Sequence, residues 1–249
     1  MVGRGGTKGW ERTAKMTNKA RIGLLPLYLD LYDTALPEIR PRMEAFYGTI
    51  AAELERRGLE IIRVGVCRLE HEFATAVRTF EEAQADAIVT LHLAYSPSLE
   101  SSAVLARTRL PLIVLDTTPA RAYGPDQDPA ELMFNHGIHG VQDMCNLLIR
   151  RGKQFEIEAG HWRESDVLDR VVAWARAARL ATRMRTAKVG LIGEPFRGMG
   201  DFEVRADVLE KTIGVQTVPC DRAALCMSVP PPEAPEVQAE MAADAQKFA

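Results

Sequence analysis

Apolar residues fall along this chain in two alternating rhythms. PRMEAFYGTIAAELERRG (41–58) carries Met43, Phe46, Ile50 and Leu54 at three- and four-residue steps and stops at Gly58. That spacing predicts an amphipathic helix closed by a glycine. LEIIRVGV (59–66) is short and β-branched, which predicts a strand. The same grammar then recurs. EHEFATAVRTFEEAQA (70–85) reads as helix, DAIVTLHL (86–93) as strand, LESSAVLARTR (99–109) as helix and LPLIVLDT (110–117) as strand. ARIGLLPLY (20–28) precedes them as a first strand. HGVQDMCNLLIRRG (139–152) follows as a helix and KQFEIEAG (153–160) as a fifth strand.

Strands that alternate with helices over short connections predict a parallel sheet covered on both faces. The expected fold class is α/β, a doubly wound parallel sheet of Rossmann or flavodoxin type, followed by the start of a second similar α/β domain. The second domain would open with AKVGLIGE (187–194) as strand, DFEVRADVLEKTIG (201–214) as helix and VQTVPC (215–220) as strand. The expected boundaries are a disordered leader over 1–19, an N-terminal domain over 20–165, a linker helix over 166–186 and a partial, truncated second domain over 187–249. RAARLATRMRTAK (176–188) reads as a solvated helix end plus linker. The last helix, within 235–249, places Val237, Met241 and Phe248 on a loosely apolar side.

Composition and charge remove several function classes. Lys and Arg total 31 against 34 Asp and Glu, so the chain lacks the basic excess of a nucleic-acid binder. No apolar run approaches the roughly 20 residues that span a bilayer. The polar, basic first nineteen residues lack the apolar middle of a signal peptide, and the expected location is the cytoplasm. Cys67, Cys145, Cys220 and Cys226 form no CxxC pair. They are expected to be reduced and to pack as small apolar residues in the core.

In doubly wound sheets, ligands bind outside the carboxyl ends of the strands. The pieces that follow the predicted strands therefore hold the candidate chemistry. GLIGEPFRGMG (190–200) has neither the GxGxxG of a dinucleotide site nor the GK[ST] of a P-loop. Ser96 and Ser98 stand in AYSPSL, not in a GxSxG elbow. NHGIHGVQDM (135–144) sets His136 and His139 three apart among glycines. Such a stretch can be a metal site, a ligand-binding loop or a helix start. Zinc needs three or four ligands, and a His139–Asp143 pair is more often an oriented histidine or a cap. What remains is a mouth rich in His, Tyr, Trp, Asp and Arg, which suits a small polyhydroxylated ligand and names no reaction.

Three of these pieces occur in a telling order: HLAYSPSLE, NHGIHGVQDMCNLLIRRGKQFEIEAGHW and VGLIGEPFRGMGDF. Together they resemble the L-arabinose and L-fucose isomerase family, from about Arg21 to about Cys220 and most strongly from Asn135 to Trp162. The resemblance implies the N-terminal region of an aldose–ketose isomerase. Such an enzyme has two Rossmann-like domains and a β-rich C-terminal domain, forms trimers or hexamers and uses Mn²⁺ or a similar divalent ion. Carboxylates would move the proton through an enediol, and they and the metal ligands are expected beyond this chain. No catalytic residue and no metal ligand is therefore assigned. Should an ion bind nonetheless, Glu194, Asp201 and Glu203 are the first residues to mutate.

The resemblance implies substrate contacts from His139, Tyr95, Trp162 and Met199. His139 with Gly140 matches the family's HG pair, whose histidine reaches the sugar of a neighbouring subunit. His136 has no clear counterpart. Trp162 offers an apolar face to a pyranose or to the subunit joint, or it packs beneath the following helix. The implied partners are a small sugar and neighbouring subunits of a homo-oligomer, with no nucleic acid and no membrane. The alternative is a non-catalytic sugar-binding or assembly module of the same fold.

Overall fold

The computed structural model describes residues 19–122, 124–200 and 203–248. Residues 1–18 of the expected leader lie outside them. The chain forms two compact units, one ending at Leu180 and one beginning at Ala181.

The first unit runs β1 (Arg21–Leu27), α1 (Leu31–Ala35), α2 (Ile39–Arg56), β2 (Glu60–Arg63), α3 (Glu70–Glu82), β3 (Ala87–His92), α4 (Ser98–Arg107) and β4 (Leu112–Asp116). A 3₁₀ helix (Pro129–Phe134), α5 (Gly137–Arg150), β5 (Glu156–Ala159) and α6 (Val167–Met184) follow, the last reaching past the unit boundary. The five strands form one sheet in the order β2-β1-β3-β4-β5, and every pairing is parallel. This is the doubly wound parallel sheet that the strand–helix alternation predicts. α1, of five residues, and the 3₁₀ helix carry too short an apolar period to be legible in advance.

The period of two along each strand sorts its side chains between two cores. Ile22, Leu24, Val89, Leu91, Ile113 and Leu115 point into one cluster, which α2 and α6 cover. Leu25, Leu27, Ile88, Leu112 and Val114 point into the other, beneath α3, α4 and α5. Each fully buried aliphatic side chain contributes about 1.5–3 kcal/mol. Gly23 of β1 lets α3 approach the sheet: a Cβ there would lie 2.4 Å from the ring of Phe80.

Two expectations change. The buried face of α6, from Val167 to Ala178, belongs to the first core. Its Arg179 is not solvated: the guanidinium lies 3.3 Å from the buried carboxylate of Asp86, which also accepts the Arg21 N–H at 2.8 Å. The cysteines also divide. Cys67 and Cys145 are buried, whereas Cys220 is partly exposed and Cys226 exposed. Burial pushes the two inner thiols up to about 12 and about 11, with Glu72 and Asp116 adding to it respectively.

The second unit contains β6 (Lys188–Ile192), α7 (Ala206–Ile213), β7 (Gln216–Cys220), α8 (Arg222–Met227) and α9 (Pro235–Phe248). β6 and β7 pair in parallel as a two-stranded sheet. Every residue of β6 is exposed. α9 buries nothing, so the side carrying Val237, Met241 and Phe248 is not a packed face. Among the described residues no helix is long and apolar enough to cross a membrane.

Gly23→Ala is expected to lower the stability of the first unit by about 1–3 kcal/mol, because the Phe80 ring has no room to yield. Urea unfolding should show a lower midpoint at an unchanged slope. An unaltered midpoint would show that α3 can move away from the sheet.

Candidate functional site

The direction of strand addition reverses between β1 and β3, and a doubly wound sheet opens its ligand crevice at the carboxyl ends of such a pair. β1 runs directly into Tyr28, and α1 adds Tyr32. β3 runs through His92 and Leu93, whose N–H donates to the Leu27 carbonyl at 2.8 Å. Ala94 then takes φ +58°. A left-handed alanine costs about 1–2 kcal/mol, and this bend carries the chain to Tyr95 and the start of α4.

The connection from β4 to α5 brings the histidines to the same place. Asn135 closes it: its buried side chain accepts the Ala120 N–H at 2.7 Å and donates to the Glu131 carbonyl at 2.9 Å. His136 precedes α5, and His139 lies in its first turn, so the helix starts two residues earlier than its apolar period suggests. His136 Nδ1 stands 3.0 Å from the Leu132 carbonyl, which can only accept, so Nδ1 carries the proton. That leaves Nε2 to accept from the Tyr32 hydroxyl at 3.1 Å.

Tyr95 and His136 stack with ring planes 6° apart and centroids 6.2 Å apart. The His139 ring lies 6.0 Å from that of His136. His139 is exposed, and among the described residues neither of its ring nitrogens makes a hydrogen bond. Beside this cluster, Asp33 accepts from Arg40 at 2.7 Å and from Arg68 at 2.5 Å. Arg40 lies 5.7 Å over the ring of buried Tyr28. Burial, with Asp33 next, pushes the Tyr28 phenol up to about 12.

The glycines of the histidine stretch have a packing role. A Cβ on Gly140 would meet His92 Nδ1 at 2.7 Å and the Ser96 carbonyl at 2.9 Å, and one on Gly137 would meet the His92 carbonyl at 3.1 Å. Both let α5 settle onto the end of β3. Asp143, the possible partner of His139, is engaged elsewhere: it accepts the Ser98 hydroxyl at 2.7 Å.

Tyr95 and His139 thus share one crevice, joined through His136. Trp162 stands beyond β5, two strands away from β3. Its backbone N–H donates to Thr117 Oγ1 at 2.9 Å, and its indole packs against the core that α6 covers. Met199 lies in the second unit, in the turn after β6, and is exposed. Among the described residues no group of three or more His, Cys, Asp or Glu could hold a metal ion. Asp201 lies outside the described residues.

Two further polar groups stand on the neighbouring strand ends, His92 and Asp116. His92 is buried: Nδ1 pairs with Ser96 Oγ at 2.7 Å, and Nε2 has no partner among the described residues. Burial pushes its imidazole down to about 3. One position past the last β3–β4 pair, Leu91↔Leu115, the register sets His92 beside Asp116, whose carboxyl burial pushes up. The available signal was a titratable residue closing a mostly apolar strand. Apart from this crevice, a surface groove of about 410 Å³ lies between Val64–Cys67 and α3.

No protein-family model matches the chain. It is 28% identical over 115 residues to L-arabinose isomerase of Geobacillus kaustophilus, covering 46% of this chain and 23% of that protein. It is 26% identical over 172 residues to L-arabinose isomerase of Anoxybacillus flavithermus, covering 64% and 33%. The chain therefore spans about a quarter to a third of the length of the curated relatives it matches. A solved structure of the Escherichia coli transcriptional repressor ascG aligns at 13% identity and a TM-score of 0.27, over 85% of this chain and 82% of that one, too loosely to carry an argument. The similarity that stands is a weak, partial, family-level link to L-arabinose isomerases.

The buried imidazole predicts an acid-sensitive fold. The folded pKa of His92 lies far below the unfolded value of about 6.5, so the unfolded chain binds the extra proton between them. Its contribution is fully present above about pH 6.5 and is lost as pH falls towards 3. His136, also lowered by burial, acts in the same direction. Asp116, raised by burial, acts in the opposite one, stabilising at low pH. His92→Asn, which can keep a bond to Ser96, is expected to flatten the stability profile between pH 6.5 and 4. A variant profile parallel to the wild type would remove His92 as the cause.

Proposed function

We propose that this chain is the N-terminal region of an aldose–ketose isomerase of the arabinose/fucose type, supplying substrate-binding and subunit-interface residues. The observation that carries the reading is His139: an exposed imidazole with both nitrogens unengaged among the described residues, at the switch-point crevice of a chain partly similar to L-arabinose isomerases. Tyr95 beside it offers a flat apolar face and a hydroxyl, the pair of properties that a sugar ring and its hydroxyls need. In this reading His139 donates or accepts a hydrogen bond at a hydroxyl of sugar bound to a neighbouring subunit of a trimer or hexamer. Trp162 and Met199, each in its own unit, are further candidates for apolar contacts to the sugar or to a neighbouring subunit.

The described residues do not fit the Mn²⁺ or similar ion that an isomerase of this type uses. His136 is committed at both nitrogens, and no carboxylate joins His139. The reading therefore places the ion and the acid–base carboxylates in another part of the full-length enzyme. Calorimetry on this chain alone is expected to show Mn²⁺ binding no tighter than about 100 µM, since hard divalent ions need several converging oxygens. One micromolar site per chain would overturn that, and Glu194, Asp201 and Glu203 would be mutated first.

In the full-length enzyme, His139→Ala is expected to lower kcat/KM about 10- to 1000-fold without a change in melting temperature. The lost hydrogen bond is worth about 1–3 kcal/mol, more if the imidazole is charged. A lower melting temperature with unchanged kcat/KM would reduce His139 to a structural role. Mixing His139→Ala subunits with subunits inactivated at the metal site tests delivery between subunits. Regained activity supports it, and none after proven subunit exchange counts against it. A chain that binds sugar while the full-length protein never isomerises it would favour the non-catalytic module.

A further inference from the structure

The two histidines at the start of α5 differ in what they have left to offer. His136 spends Nδ1 on the Leu132 carbonyl and Nε2 on the Tyr32 hydroxyl. An imidazole has no third hydrogen-bonding atom, so His136 cannot bond a ligand without breaking one of these contacts. Its ring instead lies between two groups that can. Tyr95 is stacked against it, and His139 stands one helical turn on with both nitrogens unengaged among the described residues.

We propose that His136 is a positioning residue, anchored by the Tyr32 hydroxyl, which fixes Tyr95 and His139 in the crevice and makes no ligand contact itself. The proposal rests on the sugar-binding reading of this crevice and adds how its ligand-facing groups are held.

The anchor is itself well fixed. Tyr32 is buried, meets Tyr28 edge-on with centroids 5.7 Å apart and donates its N–H to the Leu29 carbonyl. Its neighbour Asp33 is held by Arg40 and Arg68. On the other side, the long β4–α5 connection is tied to α2 just before His136. Arg42 bonds both oxygens of Glu131, at 2.8 and 2.6 Å, and lies 3.8 Å over the Phe134 ring. The Tyr32–His136 bond then joins α1 to the start of α5, 104 residues apart in sequence. Without it, nothing directional fixes the rotation of the His136 ring on its Nε2 side.

The protonation state suits the task. Burial, with His139 adding to it, holds the His136 imidazole below its usual value, against the opposing pull of the Leu132 carbonyl. The ring stays neutral at neutral pH, and Nε2 keeps the lone pair that accepts from Tyr32. The left-handed Ala94 next to Tyr95 is an independent sign. Backbone strain persists where the surroundings enforce it, and Tyr95, stacked on His136, is the residue that this bend presents.

The test is Tyr32→Phe, which removes a single hydroxyl from a ring that remains packed. It is made in this chain with L-arabinose as the probe and NMR of the imidazole nitrogens and of the Tyr95 ring as the second readout. In the wild type, His136 should show a protonated Nδ1 and a bare Nε2. The variant should melt within about 2 °C of the wild type, shift the His139 and Tyr95 signals and bind L-arabinose about 3- to 30-fold more weakly. His139→Ala should also weaken binding, and the double variant should lose less than the product of the two single losses, because Tyr32 acts in part through His139. Losses that simply multiply would overturn the proposal. If the wild-type chain binds no L-arabinose, the sugar-binding reading of the isolated chain fails, and NMR decides alone. Shifted His139 and Tyr95 signals in Tyr32→Phe then support positioning, and unchanged signals overturn it. Should Tyr32→Phe fail to fold, His136→Ala, at a partly exposed ring, reads the same coupling.

Discussion

β1 and β3 form the ladder on which the rest of the first unit depends. They pair over six positions, from Ile22↔Ala87 to Leu27↔His92, and nearly every side chain on both strands is buried. Strands covered on both faces cannot turn their backbone to water, so each needs a strand on its other side and a helix layer above and below. β2 and β4 satisfy the first need; α2 with α6 and α3 to α5 satisfy the second. One edge of this arrangement collects every strand's carboxyl end. There the apolar runs stop, and Tyr28, His92 and Asp116 begin.

The sheet was legible in the sequence because its central strands are mostly apolar and its long helices keep a clean period. The crevice was legible only as a location. The reason glycines recur around His136 and His139 could not be read from spacing, since what they approach is the side chain of His92 and the backbone of Ser96, some forty residues earlier. The Tyr32–His136 bond was hidden for the same reason: α1 has too few residues to show a period, and its partner is remote in sequence. Arg179 looked like one of many cations at a helix end. Only the fold reveals that it meets the buried Asp86. Periodicity reports which face of an element is covered; it says nothing of which polar atoms meet across the cover.

The two histidines also show how one short motif can divide two tasks. His136 faces inward and is consumed by its neighbours, whereas His139 faces water with its bonding capacity intact. Their three-residue offset on a helix start makes that division geometric: about 300° of rotation separates them, so they share a side of the helix yet differ in depth. Substitutions at either position are therefore not equivalent, although a sequence comparison would weigh them alike.

The strand edges of the two units invite different fates for a partly unfolded chain. The outer strands of the large sheet, β2 and β5, have four residues each and carry Glu60, Arg63, Glu156 and Glu158, which discourages a foreign strand from adding. β6 has no such guard in its middle: Val189, Gly190, Leu191 and Ile192 run together, and the three aliphatic side chains are exposed. A two-stranded sheet is marginal in water by itself. Concentrated refolding would thus aggregate through KVGLI rather than through the larger domain, and a lysine in place of Leu191 would be the change to make for a more soluble chain.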